Sequence, residues 1–214
     1  DPDDPANWRP SSAIAGSPGR DDAATNIPAI FVNEVLTHTD PPLLDSIELH
    51  NPNAFAVDVG LWFLTDRRTT PKKFQIPSPT VIPAGGFVWF DEDDFNPNPG
   101  VSPSFTLSSY GEEVYLYSGD AAGNLTGYSH GFTFGAAANG VAFGRHVTST
   151  GDTHYPAQAA NTLGAANAGP RVGPVVINEI HYQPLPGDAE FVELKNLTGD
   201  PVQLYNLDYP ELPW

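Results

Sequence analysis

The amino-acid sequence predicts an all-β chain, an antiparallel β-sandwich, on three observations. Apolar residues alternate at period two over short runs. Gly and Pro, 20 and 23 of the 214 residues, punctuate nearly every gap. No window carries a sustained 3.6-residue apolar stripe with helix caps.

The expected strands follow in order. Ala29–Leu36 and Ser46–Asn51 flank the breaker Asp40-Pro41-Pro42. Ala56–Leu64 reads as one long strand. Lys72–Ile76 is stopped by Pro77-Ser78-Pro79, and Gly86–Phe90 starts after Pro83-Ala84-Gly85. Beyond Asn96-Pro97-Asn98-Pro99-Gly100 come Glu113–Ser118 and Leu125–Phe132, joined through a hairpin turn at Asp120–Asn124. Val141–Arg145 closes the set. About eight short strands within roughly 140 residues make the expected sandwich immunoglobulin-like.

Charge narrows the function classes. Nine Lys and Arg stand against 26 Asp and Glu, a net charge of -17. Such a field repels phosphates, which argues against nucleic acid and an anionic membrane surface as partners. No apolar run approaches the ~18 residues that insertion into a bilayer needs. The absence of Cys excludes disulfides, thiolate chemistry and Cys-based zinc sites. The absence of Met points to a processed product or an excised window, with any signal peptide removed.

A long internal repeat organises the chain. Ile30–Pro52 and Val175–Leu197 align without a gap: Asn33-Glu34 recurs as Asn178-Glu179, a spacing of 145 (178 − 33). Ile47–Asn51 recurs as Val192–Asn196 at the same spacing, so chance is an inadequate source. The end of the unit recurs too, since Gly164 in Asn161–Asn167 stands 145 positions after Gly19 in Gly16–Asp22. The expected organisation is a tail of a preceding copy and linker over 1–27, a complete copy over 28–168, and a linker with a truncated further copy over 169–214. A ~145-residue period is too long for a solenoid unit and fits beads on a string.

These residues resemble the lamin tail domain, in the form found in large exported bacterial proteins. The resemblance rests on the opening strands Phe31–Val35 and Val176–Ile180, then Ile47–Asn51. It continues through Val57–Asp66, Phe74–Pro77, Val81–Gly86 and Glu113–Tyr117. It covers all of 28–168 and, in truncated form, 175–214. It implies an immunoglobulin-like sandwich acting as an attachment or adaptor module that accompanies secreted or surface enzymes.

Four constellations are candidates for chemistry. Glu34 with Glu48, repeated as Glu179 with Glu193, are paired acids that share a proton or bind a cation if their strands are neighbours; otherwise they face solvent or cap loop amides. Asp91, Asp93, Asp94 and Asn96 form the densest oxygen-ligand run and are the candidate Ca²⁺ site. That run departs from the EF-hand spacing, and a plain acidic surface loop is its alternative. Arg67, Arg68, Lys72 and Lys73 crown an expected hairpin and are the candidate ligand-binding loop, for an acidic glycan, a phosphate or a neighbouring acidic module; protection of a sheet edge is the alternative. Exposed Trp and Tyr offer a sugar-stacking platform, but Trp62 and Trp89 lie in strand patterns and are expected in the core. Nucleophilic catalysis finds no motif, because neither a histidine ligand pair nor a Gly-x-Ser-x-Gly elbow occurs.

The expected function is therefore a non-catalytic module of an exported or cell-surface protein. Its roles would be spacer, adhesion or substrate targeting, with other modules of the same polypeptide or a surface polysaccharide as partners. Two alternatives stay open at this point. One is an accessory part of an exported hydrolase or spore-coat-kinase-like enzyme. The other is head-to-tail self-association, in which a neighbouring chain completes 175–214.

Overall fold

A computed structural model describes residues 18–19 and 27–204 of the chain. Most of the expected preceding tail, and the chain from 205 onward, lie outside the described residues. The chain divides into two compact units, residues 1–170 and 171–214.

In the first unit, two four-stranded antiparallel sheets face each other. One is built from β1 (Phe31–Leu36), β2 (Ser46–His50), β7 (Phe87–Asp91) and β10 (Ala142–Gly144), in the order β10-β1-β2-β7. The other is built from β4 (Phe63–Thr65), β5 (Phe74–Gln75), β8 (Glu112–Gly119) and β9 (Leu125–Phe134), in the order β5-β4-β8-β9. The short pairs β3 (Val57–Asp58) with β6 (Val81–Ile82), and β11 (His146–Val147) with β12 (Thr153–His154), complete the unit.

The period-two pattern explains the packing. Along β8, Val114 and Leu116 are buried while Tyr115 and Tyr117 between them are only partly so. Across the first sheet, Phe143, Val35, Ile47 and Phe90 lie in one register row and point inward. They meet Leu64, Val114, Leu116 and Phe132 of the second sheet in one hydrophobic core. The all-β antiparallel sandwich expected from the sequence is the fold observed.

One expectation about elements is corrected. The single strand over Ala56–Leu64 is two, β3 and β4, because the Asp58 carboxylate accepts the N–H groups of Gly60 (2.8 Å) and Thr80 (3.1 Å). This side-chain turn bends the chain before Trp62, and Leu61 takes a left-handed φ of 71°. After β7 the chain makes a single helical turn, α1 (Glu92–Phe95). Asp91 caps it and Asp94 closes a capping box. Its Phe95 is buried and stacks on Phe105 at 4.7 Å.

The second unit is a ribbon of β13 (Val175–His181) and β14 (Phe191–Asn196). Its register repeats that of β1 and β2, including a bulge. The pairing shifts between Val32 and Glu34 in the first unit and between Ile177 and Glu179 in the second. Hydrogen bonds recur as well. Asn51 donates its amide to the carbonyl of Phe55, and Asn196 does so to that of Asp200.

Candidate functional site

The paired acids lie on the outer face of the first sheet, opposite the core. Register places Gly144, Glu34, Glu48 and Trp89 in one row across β10, β1, β2 and β7. An outward row on an antiparallel sheet is ordinarily wet. Here both glutamates are 0% exposed.

What covers them is the exit segment of the same unit. Thr162 donates its N–H to Glu34 Oε1 (2.9 Å) and its hydroxyl to Glu34 Oε2 (2.5 Å). Gly164 donates its N–H to Glu48 Oε2. Asn33, at the bulge, donates Nδ2 to Glu48 Oε1 (2.7 Å) and to Asn167 Oδ1 (2.7 Å). Asn167 in turn donates to the carbonyl of Arg145 (2.9 Å). At the row's other end, the Gln158 amide fills the space a Cβ would take at Gly144, and its Oε1 accepts from Ala168 N (3.0 Å). The glycine at 144 lets the segment lie flat against the sheet.

Burial dominates the electrostatics of this clamp. It pushes the Glu48 carboxyl up to about 7, with the charge of Glu34 adding to the rise; the bonds from Gly164 and Asn33 pull the other way. The bonds from the Thr162 and Gly164 amides and the Thr162 hydroxyl tie both glutamates to the loop. All four Glu34 and Glu48 oxygens accept hydrogen bonds, so the pair acts as an amide cap.

Trp89 stands in the outward row and is 49% exposed, which corrects its expected place in the core. Alternation along β7 gives the inward place to Phe90, and Trp89 lies against Gly164 instead. Trp62 is buried in the core as expected.

A second polar set holds β1 from the opposite sheet. Tyr128 OH accepts from Ile30 N (3.1 Å) and donates to Ile30 O (2.8 Å). His130 Nδ1 accepts from Val32 N (3.0 Å), so its proton sits on Nε2, facing Tyr155 OH (3.1 Å). Burial, aided by the nearby Arg145 charge, lowers His130 to about 4. No motif marks these residues, because their partner strand is about 100 positions away in the chain.

The basic loop lies where expected, between β4 and β5, whose register pairs Leu64 with Phe74. Its four cations differ in use. Lys73 is bound to Asp66 (2.5 Å) and lies over the Phe105 ring. Lys72 donates to the Gly123 carbonyl (2.6 Å) and lies over Phe63. Arg67 and Arg68 are exposed. Arg68 engages through its backbone: its N–H reaches Glu113 (2.7 Å), and its carbonyl accepts from Tyr117 OH (3.2 Å). Beside the loop, Asp66, Arg67, Tyr110, Glu112 and Glu113 line a shallow polar depression. Burial pushes Glu112 up to about 7 there, partly offset by the amide of Ser108.

The acidic run is occupied with local structure. Asp91 and Asp94 serve the cap of α1, and Asn96 donates its amide to Glu92 (2.9 Å). Among the described residues, no group of three or more His, Asp or Glu side chains converges as metal ligands do.

A β-sandwich that seals one outer face with its own exit segment is the class of protein this geometry defines. Compared with known proteins, the chain matches no family model, no curated protein and no solved structure.

Proposed function

We propose that the chain is a non-catalytic module of a large exported or cell-surface multi-module protein, of lamin-tail type, and that it serves as a spacer between other modules. The observation that carries this reading is the use made of Glu34 and Glu48. Acid–base catalysis needs carboxylates that reach a substrate. These two are buried under Thr162–Gly164 and tie the exit of the unit to its first strand. The same residues recur 145 positions on, as expected of a module made to be strung in series. Net acidity suits a well-solvated bead.

An adhesion or targeting role has its own support in Arg67 and Arg68, whose side chains stay exposed while both neighbouring lysines are engaged. Arginine forks suit carboxylate and sulfate groups of an acidic polysaccharide. A glycan array separates the readings: binding lost in the double variant Arg67→Ala/Arg68→Ala assigns targeting to this loop, and no binding leaves the spacer. A hydrolase screen tests the shared premise. Turnover by the chain that vanishes in Glu48→Gln, with the fold intact by circular dichroism, would overturn the non-catalytic reading.

A further inference from the structure

We infer that Asn178, Glu179 and Glu193 form a peptide-binding clamp for a Ser/Thr-x-Gly turn segment. The inference comes from the filled copy of the same constellation and stands apart from the spacer reading. In the first unit the bulged Asn33 holds Glu48, and Glu34 and Glu48 face each other across β1 and β2. In the second unit the bulge recurs at Asn178, Glu179 pairs with Glu193, and the Asn178 amide again donates to a Glu193 oxygen. The receiving geometry is therefore present with no segment lying on it among the described residues. Glu179 and Glu193 are exposed, and among the described residues no donor reaches Glu179.

The ligand chemistry is defined by what fills the first clamp. One residue supplies an N–H and a hydroxyl to the first glutamate, and a glycine two positions on supplies an N–H to the second. The glycine is left-handed, at φ 85°. The residue between them sends its N–H to Asn161 rather than to a glutamate, so any residue fits there, proline included. The chain holds another segment of this pattern in Ser17-Pro18-Gly19, 145 positions before Thr162-Leu163-Gly164. Gly19 has φ 77°, matching Gly164. Arg20 directly after it is followed by Asp21 and Asp22, so the segment carries a net charge of -1 and its docking rests on the hydrogen bonds rather than on charge.

The test is a titration of the full chain with an acetylated, amidated peptide of Ile14–Asp22, followed by NMR at pH 7. Saturable shifts of the Asn178 side-chain amide and the Glu193 carboxyl are expected, with a dissociation constant on the order of 1 mM for three exposed hydrogen bonds. The shifts should vanish in Glu179→Gln/Glu193→Gln, which leaves the first unit untouched. They should vanish equally with a peptide carrying Gly19→Pro, which lacks the N–H. Three results would overturn the proposal: no saturable shift up to about 10 mM, binding unchanged in either variant, or shifts confined to Asn33 and Glu48.

Discussion

β1–β2 and β13–β14 are nearly the same ribbon in two different situations. They share register, bulge, an Asn-to-Glu hydrogen bond and a paired set of apolar residues. Yet Val32, Val35, Ile47 and Leu49 are 0% exposed, whereas Ile177, Ile180, Val192 and Leu194, each 145 positions later, are between 50% and 61% exposed. The acids differ in the same sense, with Glu34 and Glu48 sealed and Glu179 and Glu193 open. Two strands therefore carry the pattern of the fold without its burial. The second sheet dries one face and the exit segment dries the other. The clamp's electrostatics come from the loop laid over it.

The first way to sharpen this comparison is through pH. Folded Glu48 keeps its proton to about 7, whereas unfolded it releases it near the ordinary glutamate value of 4.5. The folded state thus binds more protons between those values, and its stability must fall as pH rises through that window and level off above it. The predicted loss from this group is about 3 kcal/mol. Urea denaturation of the wild type and Glu48→Gln at pH 4.5 and 8 isolates it from Glu112 and His130. A stability difference that does not change with pH would break the assignment.

Next in size is Glu48→Ala at pH 5, where the proton is still on. It strands the Gly164 N–H and the Asn33 amide, at a cost of about 2–3 kcal/mol. Chemical denaturation reads this directly. Gly164→Ala should cost about 1–2 kcal/mol, since alanine is strained at φ 85° and its Cβ meets Trp89 at 3.2 Å. Because Trp89 lies against that turn, its fluorescence should change with the substitution. Smallest of all is Glu193→Ala, expected to move stability by less than about 0.5 kcal/mol because the residue is exposed. An effect as large as that of Glu48→Ala would erase the contrast between the ribbons.

Much of the fold was legible because half-buried strands alternate and proline and glycine mark their ends. The run at 56–64 misled because its apolar spacing passes unbroken through Gly60, while Asp58 turns the backbone with a side-chain bond that no periodicity reveals. Trp89 misled for a related reason. Alternation places Trp89 and Phe90 on opposite faces, and the two aromatics are equally plausible inward residues until the loop over the outer face is known. The clamp was half legible. Both of its halves recur at one spacing, which marks them as parts of one unit. Their pairing was hidden, because Asn33 and Asn167 lie 134 positions apart and nothing local relates a strand bulge to an exit loop.

The bond between Asn33 and Asn167 has a mechanical consequence. It joins the chain where the first unit starts to the chain where it stops, and all the intervening residues hang from that joint as a closed loop. Tension applied at Ile27 and Pro170 would meet the bonds from Tyr128 and His130 to β1 first and then the joint between Asn33 and Asn167. The clamp is then a tie between the entry and the exit of the module, so the two ends of the unit are held side by side by a few hydrogen bonds.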